Sequence, residues 1–225
     1  MAELDGPVRQ GFAAELEQLR LQVELMGVRV DENLERMREV LAHGDAEVAR
    51  RAVAADDDID AMNVSLTERC YDLLSRESPV AGDLRFVVSV LRVLSELERI
   101  GDLSLRVVKL VPDWELLRGN AATYDILVAM ADAAVEQFRT ALRAWSTQDL
   151  GLATELAEGH PMEGFTERFS REVIGIDGPD AVLCAVRTLV AGRSLDRIAD
   201  HAAVIGARLR YLITGDPAHL TSEIR

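Results

Sequence analysis

Proline and aromatic residues are scarce in this chain. Six of the 225 residues are proline, and phenylalanine, tryptophan and tyrosine together make up 4%. Strands and the turns between them are normally richer in aromatic residues and turn formers. Alanine, leucine, valine, glutamate and arginine dominate instead, and 48% of the residues are apolar, which is enough to bury a large core of helices. The composition therefore predicts an all-α protein.

Positive charge is also in short supply. The chain has 25 Lys and Arg residues against 39 Asp and Glu residues, which gives a formal net charge of −14. The sequence contains no cluster of basic residues that could neutralise the phosphates of nucleic acid or the headgroups of anionic lipids. We therefore expect no nucleic-acid partner and no direct binding to a lipid surface.

Long apolar runs are missing as well. No uninterrupted apolar stretch approaches the roughly 20 residues that span a bilayer. Residues 1–7 lack the basic start and the apolar run of a signal peptide. The sequence thus predicts a soluble, cytoplasmic protein without direct membrane insertion, which would reach the inner face of a membrane only through a protein partner.

Signatures of catalysis are absent from the sequence. It has no glycine-rich phosphate loop, no His-Glu-x-x-His, no nucleophile elbow and no Glu-x-x-His pair of the kind that di-iron bundles use. The two cysteines, Cys70 and Cys184, lie in helical patterns and are expected to be buried apolar residues rather than a disulfide or metal set. We therefore do not expect an enzyme.

Apolar residues recur every three or four positions from Phe12 onward, which is the spacing of one face of an α-helix. The pattern predicts six long helices, at about 12–43, 46–75, 81–110, 121–146, 150–173 and 180–214. Gly159, His160 and Pro161 predict a kink in the fifth helix. Residues 111–120 interrupt the pattern, so we expect two tandem, similar three-helix bundles, at 1–112 and 113–225.

A short acidic motif occurs once in each half. Glu98-Arg-Ile-Gly-Asp102 recurs 98 positions later as Asp196-Arg-Ile-Ala-Asp200. Residues four apart lie one above the other on a helix, with Cβ atoms about 5–6 Å apart, and both pairs prolong an apolar stripe. Carboxylates in that place would be partly desolvated, which is costly unless a cation joins them. The repetition predicts a duplicated protein with two equivalent oxygen-ligand sites.

Two further aspartates, Asp56 and Asp60, have the same spacing on the second predicted helix and could complete the first site. The fifth predicted helix offers only Glu163, with Gly159 where a matching acid would stand, so the second site is expected to be the poorer one. Oxygen ligands suit magnesium, manganese, calcium and ferrous or ferric iron; without nearby His or Cys, they do not favour zinc or copper.

Other interpretations of the acidic motifs stay open. The acids could pair with Arg99, Arg106 or Arg197 on neighbouring turns, or form a solvated face of a purely structural helical scaffold that binds no metal. His201, next to Asp200, could be a ligand or an ordinary surface or core histidine. A carboxylate-bridged metalloenzyme is a further alternative, which needs an open coordination position and a substrate pocket.

With these residues in view, the sequence resembles the PhoU family of phosphate-uptake regulators over nearly its whole length. The matching segments are the two acidic motifs, Asp83-Leu84-Arg85, Glu15-Leu16 and Met26-Gly27. The resemblance implies two three-helix bundles related by a pseudo-twofold axis, with multinuclear metal sites in some members. The ligands that it implies are Glu98, Asp102, Asp196 and Asp200, supported by Asp56 and Asp60. The sequence departs from the family pattern at Gly159, usually an acid, and at Asp196, usually a glutamate.

The resemblance also implies a function. It suggests a non-enzymatic negative regulator of phosphate uptake and phosphate-starvation signalling. Such an adaptor would link the ATP-binding subunit of a phosphate ABC transporter to a sensor histidine kinase, at the inner face of the membrane. A homodimer is implied as well, with divalent or trivalent ions, among them iron, manganese, magnesium or zinc, at the carboxylate clusters.

Overall fold

The computed structural model of the protein describes residues 5–77, 79 and 81–223. Its α-helices are α1 (Asp5–His43), α2 (Ala46–Glu77), α3 (Ala81–Val108), α4 (Trp114–Gly119), α5 (Ala121–Thr147), α6 (Leu150–Glu158), α7 (Glu163–Ile174) and α8 (Ala181–Thr214). Short 3-10 helices, Val111–Asp113 and Pro217–Glu223, follow α3 and α8. No strand occurs among the described residues, so the predicted all-α class is confirmed. Within the same residues, no helix combines the length and the apolarity needed to cross a membrane.

The turns before α2 and α6 are built in the same way. Asp45 accepts hydrogen bonds from two backbone N–H groups in the first turn of α2, at 2.7 and 3.2 Å. Asp149 does the same at the start of α6, at 2.7 and 3.0 Å. Each aspartate satisfies N–H groups that have no partner inside their helix. The duplication therefore extends to the way in which the second helix of each half begins.

The fifth predicted helix, 150–173, is two separate helices. α6 ends at Glu158, and α7 begins at Glu163. Pro161 lies between them, where it lacks an N–H group to donate and disfavours the helical conformation of the residue before it. The predicted kink is thus a complete break. The predicted linker between the halves contains the short helix α4.

α3 and α8 lie side by side at the centre of the molecule and run in opposite directions. Arg85, near the start of α3, lies against Gly215 after the end of α8. Arg187, near the start of α8, forms a 2.8 Å ion pair with Asp113 after the end of α3. α1 and α2 pack on α3, whereas α5, α6 and α7 pack on α8. The structure therefore has the two similar bundles that the repeat predicts.

The two bundles also meet through α1 and α5. Arg139 of α5 forms ion pairs with Asp31 and Glu35 of α1, at 2.9 and 2.5 Å. One cluster of buried apolar side chains extends through both halves. The predicted boundary between residues 112 and 113 lies in the turn after α3, but because the core is continuous, the division into two domains stays a prediction.

α6 packs very closely on α8. A Cβ placed on Gly206 would lie 2.7 Å from the Cβ of Leu156 and 2.9 Å from the carbonyl oxygen of Ala153. Only glycine therefore allows the two backbones to approach so far. The cysteines lie in the packed interior as predicted, because Cys70 and Cys184 are buried free thiols.

Candidate functional site

The first acidic motif and the aspartates of α2 come together where α2 packs on α3. Asp56 and Asp60 are one turn apart on α2, and Glu98 and Asp102 are one turn apart on α3. A Cβ placed on Gly101 would lie 3.3 Å from Oδ1 of Asp56, so the Asp56 carboxylate lies against the backbone of α3. We call these four acids the α2–α3 cluster.

Burial and mutual repulsion raise the pKa values within this cluster. The pKa of Asp56 rises from 3.8 to about 6, first because the side chain is partly buried and then because Asp60 and Asp102 are negatively charged. The pKa of Glu98 is also raised, again by burial first and then by the charge of Asp102. Asp60 and Asp102 themselves are exposed. The cluster is therefore a concentration of negative charge that is held partly out of water.

The donor chemistry of the α2–α3 cluster suits a hard cation. Lys109 partly offsets the repulsion at Asp56 and Arg99 does so at Glu98, but the pKa values of both acids stay raised, so a bound cation would relieve the repulsion that remains. The positions of the four carboxylates fit less well. Within the described part of the chain, no three Asp, Glu, His or Cys side chains converge closely enough to hold a metal ion. A cation there would require the four carboxylates to converge more closely than they do in this structure.

The second acidic motif has a different environment. Asp196 and Asp200 are one turn apart on α8, and the pKa of Asp196 is raised by burial and then by the charge of Asp200. An arginine already binds this motif, since Nη1 of Arg193 lies 3.0 Å from Oδ2 of Asp196. The ion-pair interpretation thus applies here, although it involves Arg193 rather than Arg197.

A pocket of about 500 Å³ lies beside the second motif, between α3, the break that separates α6 from α7, and α8. The charged and titratable side chains on its wall are Glu96, Glu163, Asp196, Asp200, Arg92, Arg99, Arg197, His160 and His201. Gly159 also lies on this wall, where a second acid would have matched the aspartates of α2. Because the wall carries charges of both signs, it does not repeat the chemistry of the α2–α3 cluster.

Glu96 is a buried acid that the sequence analysis missed. Its side chain is 1% exposed, and its Oε2 lies 2.5 Å from Nδ1 of His201. Arg92, one turn earlier on α3, reaches Oε1 of the same carboxylate at 3.0 Å. The contact between Glu96 and His201 joins α3 to α8 and hence one bundle to the other. His201 therefore faces a carboxylate of the opposite bundle, a partner 105 residues away that no local pattern could indicate.

Comparison with known proteins identifies related sequences. The family model described as the PhoU domain matches residues 23–111. The phosphate-specific transport system accessory protein PhoU homolog of Pseudomonas putida is 29% identical over 221 residues, which cover 95% of this chain and 85% of the relative. The PhoU accessory protein of Escherichia coli K12 is 25% identical over 207 residues, which cover 91% of this chain and 86% of the relative.

Solved structures agree with this likeness. The crystal structure of PhoU from Pseudomonas aeruginosa has a TM-score of 0.85 and 28% identity, and the match covers 91% of this chain and 100% of that one. The phosphate transport system regulatory protein PhoU from Streptococcus pneumoniae gives a TM-score of 0.82 and 28% identity, over 91% of this chain and 98% of that one. The likeness thus extends through both bundles.

Proposed function

We propose that this chain is a member of the PhoU family and that it regulates phosphate transport as an accessory protein of a phosphate-specific transport system. The likeness to the solved PhoU structures, which extends through both bundles, is the observation that supports this proposal. The role is a regulatory one, with no reaction of its own, since the relatives are named accessory or regulatory proteins.

The direction of regulation is negative. The protein reports phosphate sufficiency by linking the ATP-binding subunit of a phosphate ABC transporter to a sensor histidine kinase, in the cytoplasm and at the inner face of the membrane through these partners. Long helices with a net charge of −14 supply broad acidic faces for such docking. Complementary charge on a partner would favour encounter and fix the orientation of the complex.

Complementation tests the regulatory role. A bacterial strain that lacks its own PhoU and carries a phosphate-starvation reporter expresses the reporter even at high phosphate if the role is negative regulation. Expression of this chain should restore repression at high phosphate and leave induction at low phosphate intact. A folded chain, present at normal levels, that leaves the reporter unchanged would count against the role.

Affinity capture tests the partners separately. The tagged chain should recover a transporter ATPase and a sensor histidine kinase from cells grown at high phosphate, with less recovery of at least one of them at low phosphate. If the chain restores repression in the complementation strain but captures neither protein, the regulatory role is supported and the two proposed partners are contradicted.

The α2–α3 cluster is the metal site in this proposal. Its four carboxylates, of which two have raised pKa values, would bind iron, manganese, magnesium or zinc as divalent or trivalent ions. A bound cation would remove the repulsion between α2 and α3 and so hold the two helices in one fixed arrangement. The second motif has an arginine on one of its two aspartates and is expected to bind more weakly.

Isothermal titration of the metal-free protein with manganese or ferric ion tests this site. Changing Asp56 and Asp102 to asparagine should abolish the tighter binding. Asp58→Asn is the matched control, because Asp58 is an exposed aspartate on the same helix and its replacement removes a charge without touching the cluster. Equal binding by all three proteins would remove these carboxylates from the metal site, and no binding by any of them would favour the purely structural scaffold.

A further inference from the structure

Each copy of the repeated acidic motif contains an arginine, Arg99 in the first half and Arg197 in the second. We call these two residues the motif arginines. Both line the pocket of about 500 Å³ beside the second motif, which we call the α3–α8 pocket. Two positive side chains from different halves of the chain thus meet at one cavity.

The motif arginines lie opposite each other across the contact between α3 and α8. The two helices are antiparallel, and Glu96 of α3 meets His201 of α8 at 2.5 Å. Arg99 comes three residues after Glu96, which is about 4.5 Å along α3. Arg197 comes four residues before His201, which is about 6 Å along α8 in the same direction. The two arginines therefore differ in level by only about 1.5 Å, and their guanidinium groups can reach the same bound group.

Two acids on the wall of the α3–α8 pocket already have basic partners. Glu96 is 1% exposed, and Arg92 and His201 lie 3.0 and 2.5 Å from its carboxylate oxygens. Nη1 of Arg193 lies 3.0 Å from Oδ2 of Asp196. Neither acid therefore depends on the motif arginines for a partner.

The motif arginines keep their hydrogen-bonding capacity. Within the described part of the chain, neither has a carboxylate at ion-pair distance. Arg99 acts on Glu98, and Arg197 acts on Asp196, as nearby charges. Each guanidinium presents a planar fork of N–H donors that matches the oxygens of a phosphate or carboxylate group. Two such forks at one level carry two positive charges, which suits a doubly charged phosphate group better than a singly charged carboxylate.

The break in the second bundle provides the space for a ligand. At the corresponding place in the first bundle, α2 continues without interruption and carries Asp56 and Asp60. In the second bundle α6 ends at Glu158, and Gly159 and Pro161 line the pocket instead. Because Gly159 stands where an acid would have matched the aspartates of α2, this wall lacks a negative charge that would repel an anion.

We propose that the α3–α8 pocket binds a phosphate group, as free phosphate or as part of a phosphorylated small molecule, and that Arg99 and Arg197 hold this group between them. Each guanidinium donates N–H groups to phosphate oxygens and balances one negative charge. The pocket volume of about 500 Å³ is within the range of small-molecule sites, so the pocket also has room for the rest of a larger molecule. The proposal follows from the arginines and the pocket and does not rest on the regulatory role.

Two exposed acids on the same wall, Glu163 and Asp200, oppose an anionic ligand. They lower the affinity, and they give the site a second, opposite signature. Loss of the motif arginines should weaken the binding of phosphate, whereas loss of Asp200 should strengthen it by removing a negative charge. If a metal ion on Asp200 held the phosphate instead, loss of Asp200 would weaken binding.

Isothermal titration of the purified full chain, in the presence of a chelator, tests the proposal. Phosphate, pyrophosphate and AMP are the probes. Tighter binding of AMP than of phosphate would indicate a phosphorylated molecule as the ligand, and the opposite order would indicate free phosphate. Arg99→Gln with Arg197→Gln should weaken the binding of pyrophosphate at least tenfold, because charge-assisted hydrogen bonds are lost. Asp200→Asn should tighten it severalfold.

The matched control is Arg51→Gln with Arg168→Gln. It removes the same total charge from two exposed arginines that lie outside the pocket, and it should leave the binding of pyrophosphate nearly unchanged. Circular dichroism establishes that each variant is folded.

Three results would overturn the proposal: no binding of any probe by the wild type at millimolar concentrations, an equal loss of binding in the arginine variant and the control, or weaker binding by Asp200→Asn. Binding that occurs only when manganese replaces the chelator would overturn it too, since the phosphate would then be held by a metal ion. These measurements use the purified protein, so none of their outcomes changes the result of complementation, which tests the regulatory role separately.

Discussion

Replacing Asp56 by asparagine should stabilise the metal-free protein at neutral pH. The pKa of Asp56 lies at about 6 in the folded protein, compared with 3.8 for an unperturbed aspartate. The folded state thus holds the proton more tightly than the unfolded state does, and the stability that this contributes is complete below pH 3.8 and is lost as the pH rises through 6. At pH 7.5 the charged carboxylate consequently lowers the free energy of unfolding, and asparagine removes that charge with little change in volume.

The size of the effect follows from the pKa. A displacement from 3.8 to about 6 is equivalent to about 3 kcal/mol. Because Asp56 is partly exposed, solvent screens the repulsion, and we expect a gain of about 1 kcal/mol. For a chain of this length, that corresponds to a rise in Tm of about 2–4 °C.

Urea denaturation in the presence of a chelator measures this gain. Asp56→Asn should exceed the wild type in unfolding free energy at pH 7.5, and the difference should shrink at pH 5, where the native carboxylate is mostly protonated. Asp58→Asn is the control and should change stability little at either pH. A loss of stability at pH 7.5, or a gain no larger than that of the control, would refute the argument from burial and repulsion.

Added metal should reverse the order of stabilities. If the α2–α3 cluster binds manganese or iron, the ion raises the Tm of the wild type because it binds the folded state, and Asp56→Asn gains less from it. The proposed site thus predicts that one substitution stabilises the protein without metal and makes it the less stable of the two with metal. If metal raises the Tm of the wild type and of Asp56→Asn equally at every concentration, the α2–α3 cluster is not a metal site, and only the charge effect remains.

Three further substitutions test the packing. Glu96→Ala should lower the unfolding free energy by about 3 kcal/mol, because His201 and Arg92 lose their buried carboxylate. Glu96→Gln should lower it by less, and equal losses in urea melts would show that the charge is unimportant. Gly206→Val should lower the unfolding free energy, measured by thermal melting, by about 3 kcal/mol or more, because the new side chain overlaps the α6 backbone. Gly164→Ala should change it little, because the space around Gly164 is open. Asp45→Ala should cost about 1 kcal/mol in a urea melt, and no change would mean that its capping bonds are dispensable.

Much of the fold follows from local patterns in the chain. The three- and four-residue spacing of apolar side chains located five of the six long helices, because that spacing acts within a few turns of backbone. The caps that Asp45 and Asp149 form at the starts of α2 and α6 are equally local, because each side chain bonds to N–H groups two or three residues away. The break at Pro161 was only partly predicted. A proline defines where a helix is interrupted, but packing of the next segment decides whether the chain bends there or restarts.

The candidate site, too, follows partly from local sequence patterns and partly from tertiary packing. Local spacing identified Glu98 with Asp102, and Asp196 with Asp200, as pairs on one helix face, since four residues make about one turn. Tertiary packing decided which acids meet, because it places Asp56 against α3; the arginine on the second motif is instead a local partner, three residues before Asp196 on α8. The contact between Glu96 and His201 likewise follows from how helices far apart in sequence pack together. Periodicity acts over one helix, whereas burial and charge pairing depend on every helix that surrounds a residue.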